Sequence, residues 1–211
     1  MGLTWYTDGM QDMLTRALSI ARLTMTFGQV RRVTLHEDGE RESDTTHTVM
    51  LTLLSVEVAQ HIGCDPGLTA QFATIHDFPE VYAGDTNTAR GLAPDEAKAK
   101  AVREAESMRQ IAVDLGDSPW VALMNRYEAQ VEPEARLVRY LDKVLPKLTH
   151  YWNRGAALRA LGLTGNELRG KHARQGAQLA AQYPEMNAVG RLFADACALV
   201  EHGIASGEDA S

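Results

Sequence analysis

The sequence predicts an all-α protein, and three observations carry that expectation. Aromatic residues make up only 6% of the 211 residues while Ala and Leu are abundant, a balance that favours helix over strand. Apolar residues recur at helical spacing, first at Met10, Met13, Leu14, Ala17, Leu18, Ala21 and Met25. No stretch has the apolar pattern of a parallel sheet, and no internal repeat is present.

The elements follow in order. Asp8 to Phe27 reads as a first helix with one apolar face. GQVRRVTLHEDGERESD then turns polar and reads as a loop, in which VTLHEDGE can form a small hairpin. Asp44 or Thr45 can cap a helix through HTVMLTLLSVEVAQHI, closed by Gly63. Apolar residues nearly surround it, as in a central, buried helix. Pro66 opens the next helix, which leads into ATIHDFPEVYAGD. After the loop TNTARGLAP, a charged helix begins near Asp95 and ends at Gly116. Asp117, Ser118 and Pro119 restart a helix through Tyr127. Pro133 to about Asn153 is another, with a kink expected at Pro146. Two further helical segments, split by Tyr183-Pro184, precede a polar tail, GEDAS, expected to be mobile.

Composition narrows the function. A chain of this length buries roughly 70% of its unfolded surface, so neither disulfide nor structural metal is required for folding. Apolar and charged contents of 45% and 23% are ordinary for a globular protein. The net charge of −7 and pI near 5.5 argue against duplex nucleic acid as a partner. Cys64 and Cys197 form no CxxC pair, and no signal peptide or membrane-length apolar run is visible. A cytoplasmic protein with reduced thiols and no membrane contact is the expectation.

One stretch breaks the ordinary pattern. ATIHDFPEVYAGD gathers His76, Asp77, Glu80 and Asp85 beside Pro79. On a helix, His76, Asp77 and Glu80 project to one side. Imidazole and carboxylate side by side suit a divalent ion, and a carboxylate one turn on is placed to move protons at an ion-bound water. Two more candidate ligands sit on apolar helices: His47 in SDTTHTVML and Asp142 in RLVRYLDKVLPKL. An acid bordering the face of Leu137, Val138, Leu141, Val144, Leu145 and Leu148 is costly unless paired or ligating. Two His and two Asp give a mixed N/O set fit for a transition metal. Taken singly, each has a plainer reading: His47 as a helix-start residue, His76-Asp77 as a capping pair, Asp142 as the partner of Arg139.

The ordered set His47, His76-Asp77, Glu80, Gly84-Asp85 and Asp142 resembles the HD-domain superfamily of metal-dependent phosphohydrolases. It is closest to the bacterial 5′-deoxynucleotidase and small dNTP triphosphohydrolase branch. Arg32, about fifteen residues before His47, matches an arginine of those nucleotidases, with Arg31 the weaker alternative. The resemblance spans roughly Met10 to His150. It implies a helical bundle with the metal site between central helices, formed by a domain over 1–160. Residues 161–211 would be a helical extension packed on it. His47, His76, Asp77 and Asp142 would bind one divalent ion (Co²⁺, Mn²⁺ or Zn²⁺), Glu80 and Asp85 would position water and pass protons, and Arg32 would bind phosphate. The implied substrate is a small deoxynucleotide and the implied assembly a homo-oligomer.

Two reactions fit: dNMP to deoxynucleoside and phosphate, or dNTP to deoxynucleoside and tripolyphosphate. A non-catalytic HD-fold binding protein is the alternative of another class. Val33 stands where the nucleotidases carry an aromatic residue after the arginine. His36, His61, His150, His172 and His202 read as structural or solvated. Trp120, Tyr151 and Trp152 read as packing anchors, and Trp5 and Tyr6 as candidates for packing on a neighbouring subunit.

Overall fold

A computed structural model of the chain describes residues 2–88 and 91–208, with side chains from 11 to 88 and from 91 to 203. The side chains of Trp5 and Tyr6 and the end of the GEDAS tail lie outside the described residues. Helix α1 (Gly2–Phe27) brings Leu23 and Phe27 into the core, whereas Met13, Leu14, Leu18 and Met25 stay in water. The polar stretch after it folds into an antiparallel hairpin, β1 (Arg31–Leu35) and β2 (Arg41–Ser43), pairing Arg31 with Ser43 and Leu35 with Arg41. Gly39, at φ +87°, supplies the left-handed turn that other residues rarely adopt. The expected hairpin is present, and its strands extend past VTLHEDGE at both ends.

Ser43, rather than Asp44 or Thr45, caps α2 (Asp44–Ile62). Its backbone is extended and its hydroxyl accepts the Thr46 N–H at 3.1 Å, while Asp44 already belongs to the helix. Gly63 ends α2 at φ +80°. The expectation of a helix buried nearly all round is corrected. α2 packs on α3 (Pro66–Ile75) and α7 (Pro133–Trp152), so its opposite face, with Val49 and Leu53, is exposed.

Asp65 caps α3 by accepting the N–H groups of Gly67 and Leu68. α3 stops at Ile75. Pro79 has no N–H to give, and the bonds tighten to a three-residue reach: Phe78 to Ile75, Glu80 to Asp77, Val81 to Phe78. Glu80 then opens a single turn, α4 (Glu80–Ala83). Next come α5 (Pro94–Leu115), α6 (Pro119–Ala129) and then α7. A short α8 (Ala156–Ala160), not anticipated from the sequence, precedes α9 (Gly165–Gln182) and α10 (Asn187–Glu208), so the first two residues of the GEDAS tail are helical.

α7 is the axis of the molecule. It contacts α2, α3, α10 and β1, and Leu137, Val138, Leu141 and Val144 are wholly buried along it. Each such side chain contributes about 2 kcal/mol by leaving water. One apolar cluster joins Leu51 of α2, Phe72 of α3, Tyr127 of α6 and Phe193 of α10. Trp120 packs against that cluster. Tyr151 and Trp152 do not: at the end of α7, beyond the core, they pair edge to face and are 43% and 65% exposed. Cys64 and Cys197 are both free, and no described helix is long and apolar enough to cross a membrane.

Gly63→Ala is expected to cost about 1 kcal/mol, because a Cβ at that positive φ is strained although the space around it is open. Denaturant unfolding checks this, with the midpoint falling and the slope unchanged.

Candidate metal centre

Two helices and one turn converge on a buried cluster. α2 brings His47, the turn after α3 brings His76 and Asp77, and α7 brings Asp142. One ligand-capable atom from each lies within 4.8 Å of the others. His47 is 1% exposed and Asp142 8%, so neither is a surface residue placed there by chance. The plainer reading of Asp142 fails: Arg139 instead reaches Glu128 at 3.4 Å and stacks over the Tyr127 ring. Asp142 Oδ1 lies 3.1 Å from His47 Nε2, and Oδ2 accepts from Lys143 Nζ at 2.7 Å.

The imidazoles are oriented by what binds their other nitrogen. His47 Nδ1 lies 2.8 Å from Glu42 Oε1, and His76 Nδ1 lies 2.8 Å from the carbonyl of Ala73. Both are acceptors, so Nδ1 carries the proton in each ring and Nε2 faces the carboxylates. His76 Nε2 is 2.8 Å from Asp77 Oδ2, yet off the line a hydrogen bond needs, and it is left as a buried nitrogen without a hydrogen-bond partner. A ring nitrogen aimed among carboxylates, with the opposite N–H tied to a carboxylate or carbonyl, is the arrangement of metal-binding histidines, whose inward nitrogen gives up its proton to the ion. The residues present therefore fit a divalent ion.

Charge is divided unevenly across the cluster. Burial opposes ionisation of Asp77, but His76 and Arg32 hold it well below the usual carboxylate range. Asp142 is likewise held low, against its burial, by Lys143 and His47. Burial also works against the His47 cation, yet the bonds to Asp142 and Glu42 raise His47 to about 9. Two neighbouring acids go the other way. Burial, and then the charge of Asp77, pushes Asp44 up to about 6 and Glu80 up to about 10. The acids in the four-residue set stay ionised, while Glu80 holds its proton at neutral pH.

Arg32 stands inside this field. Its Nη1 donates to Asp77 Oδ2 at 2.8 Å and to Asp44 Oδ1 at 3.1 Å, and lies 3.9 Å from Glu80 Oε2. Arg31, by contrast, is exposed and donates to the Gly28 carbonyl. Alternation along β1 separates the two, turning one guanidinium in and its neighbour out. Asp85 lies outside the ligand-distance groups but lines the hollows on either side of the cluster, and burial raises its carboxyl.

Sequence reasoning missed several neighbours. Glu42 and Asp44 sit in the acid-rich run Glu40 to Asp44, where nothing distinguishes an inward acid from a solvated one. Their burial, at 1% and 0%, shows that these two point in. Lys100 approaches Glu80 from α5 at 3.8 Å, a helix whose charges read as a solvated face. Of the remaining histidines, His61 is exposed, whereas His150 and His172 line the hollow on the α9 side.

Size alone does not mark the site. A cavity of about 790 Å³ is an apolar groove between α9 and α10, lined by none of the four ligand-capable residues. Two smaller hollows flank the cluster. One, about 140 Å³, is lined by Glu80, Glu104, Glu128 and Lys100; the other, about 100 Å³, by Lys143, Lys147, Lys171 and His150.

Comparison with known proteins gives a family and a fold. The model of the HD-domain family matches residues 28–185. Among solved structures, the crystal structure of a predicted metal-dependent phosphohydrolase from Magnetospirillum magnetotacticum MS-1 superposes with a TM-score of 0.69. The two sequences are 23% identical, over 92% of this chain and 96% of that one. No curated protein matches.

Glu42→Gln is expected to leave the fold intact and to weaken divalent-ion affinity by roughly 10- to 100-fold, since the neutral amide orients His47 less firmly. Competition against a chelator of known affinity measures the loss.

Proposed function

The chain belongs to the HD-domain family, and on that premise we propose that it is a metal-dependent phosphohydrolase of deoxynucleotides, with His47, His76, Asp77 and Asp142 as ligands of one divalent ion. The observation that supports this most directly is the buried His76 Nε2, left without a hydrogen bond among ionised carboxylates. These four residues would hold the ion, whose chemistry when bound would be to lower the pKa of a water towards neutrality and so supply a nucleophile near pH 7. Co²⁺, Mn²⁺ and Zn²⁺ all suit a two-His, two-carboxylate set.

The chain's own groups do the rest. Arg32 Nη1 is occupied by Asp77 and Asp44, while Nη2 makes no hydrogen bond to a described residue and is available to a phosphoryl oxygen. Glu80, buried and with Oε2 unpartnered, holds a proton that the leaving oxygen can take. Asp85, across the same space, is the second group able to accept or return a proton. The same attack on the α-phosphorus converts a monophosphate to deoxynucleoside and phosphate, or a triphosphate to deoxynucleoside and tripolyphosphate.

Self-association is proposed from a separate feature. Met13, Leu14, Leu18 and Met25 of α1 and Val49 and Leu53 of α2 leave apolar surface in water. A homo-oligomer, measured as mass in solution by light scattering, is the expected result.

With ion restored to stripped protein, release of orthophosphate or tripolyphosphate from a panel of dNMPs and dNTPs is expected. Glu80→Ala should retain the ion and the fold while turnover falls at least about 100-fold. His47→Ala and Asp142→Ala should lose the ion as well. A protein that binds the ion but acts on no member of the panel would instead be a non-catalytic HD-fold binding protein.

A further inference from the structure

The two hollows beside the cluster differ in sign, and that difference bears on the substrate. On the α5 side the six acidic residues, Glu80, Glu104 and Glu128 among them, outnumber the four basic ones. On the α9 side, Lys143, Lys147 and His150, spaced i, i+4 and i+7, form one stripe of α7, which faces Lys171 and Gln175 of α9. Asp142 and Lys143 line both, so the basic hollow opens directly from the ligand set.

Lys147 and Lys171 have no carboxylate partner among the described residues, whereas Lys143 is paired with Asp142. Lys147 is 5% exposed, yet its Nζ donates to a neutral amide oxygen, Gln175 Oε1, at 3.0 Å. Burial, and then the charge of Lys171, lowers it to about 8. Lys171 too is lowered, by burial and by Lys143. His150 is kept neutral, lowered to about 3 by burial and by Lys147, and its buried Nδ1 has no hydrogen-bond partner. A buried ammonium without a carboxylate is costly, and like charges gathered around it add to that cost. An anion removes it. The hollow, at about 100 Å³, is several times larger than the roughly 10–15 Å³ that one water requires.

We infer that the hollow formed by Lys143, Lys147, His150 and Lys171 is a polyphosphate subsite, which receives the phosphoryl groups beyond the one at the ligand set and directs the enzyme towards triphosphate substrates. The inference rests on the phosphohydrolase reading and adds its substrate class. Lys143, paired with Asp142 at 2.7 Å, stands at the seam between the reacting phosphorus and the tail. Of the two hollows, Lys147 and Lys171 line the basic one alone and would touch only the tail. A monophosphate leaves them without an anion.

Calorimetric titration of the ion-loaded full chain tests this, using inorganic tripolyphosphate and orthophosphate as probes, with Mg²⁺ in excess so that the tripolyphosphate does not strip the site. Tripolyphosphate is expected to bind at least tenfold more tightly than orthophosphate. Lys147→Gln and Lys171→Gln, made separately, should each weaken tripolyphosphate at least fivefold and leave orthophosphate within twofold. Lys171 is half-exposed, so its variant remains informative if the buried one fails to fold. Lys171→Arg should restore most of the affinity. Equal affinity for the two probes, or lysine variants that bind tripolyphosphate as the wild type does, would overturn the subsite. Turnover separates the two levels. Hydrolysis of dNMPs without tripolyphosphate binding removes the subsite and keeps the phosphohydrolase. Lysine-dependent tripolyphosphate binding, with no deoxynucleotide hydrolysed, does the reverse. Binding of both tripolyphosphate and intact dATP through the same lysines assigns the tail to a nucleotide; binding of tripolyphosphate alone assigns it to a free polyphosphate.

Discussion

Burial of negative charge governs this molecule. Glu42, Asp44, Asp77, Glu80 and Asp142 are gathered inside a helical domain where water screens little of their repulsion. Arg32 answers part of it, holding Asp44 and Asp77 with one nitrogen, and Lys143 answers Asp142. His47 links Glu42 to Asp142, a bridge between β2 and α7 made through a ring on α2. Burial, and then the charge of Asp77, raises the carboxyls of Asp44 and Glu80 above those of ordinary acids, and Glu80 keeps its proton. Every element that touches the cluster is placed to deliver one of these charges. The hairpin carries Arg32 and Glu42, and the tightened turn at Pro79 sets Asp77 and Glu80 towards the same space.

Much of this was legible in the sequence, for a simple reason. His47, His76 and Asp142 are polar residues at positions where an apolar helix expects a hydrophobe, and such misfits are visible in a line of text. Glu42 and Asp44 were not, because a run such as GERESD has acids at nearly every position and the alternation of a three-residue strand decides which ones turn inward. The cap of α2 was misread within SDTT, where four successive residues have oxygens able to accept an N–H. Only the backbone at Ser43 selects among them. α8, five residues long, lies below the length at which periodicity speaks.

Lys147 was hidden differently. A lysine on an amphipathic helix is ordinarily a solvated residue with a long stem. Its partner, Gln175 of α9, comes from the last third of the chain, a part of the sequence without a local signature. Total charge is silent on such a site: a chain of net charge −7 still brings Lys143, Lys147 and Lys171 around one hollow. Bulk charge describes how the molecule behaves in solution; the local field is set by which helices meet.

The sequence distance between the ligand-capable residues has a thermodynamic meaning. His47 and Asp142 are 95 positions apart and meet only in the folded chain. An ion gripped by both would fasten the first helix pair to the molecule's axis much as a covalent staple would, withdrawing loop entropy from the unfolded ensemble. Folding and ion occupancy then become one equilibrium, with resistance to unfolding set by the concentration of free ion around the protein. Loss of the ion would thus be felt throughout the architecture, well beyond the few side chains that had held it.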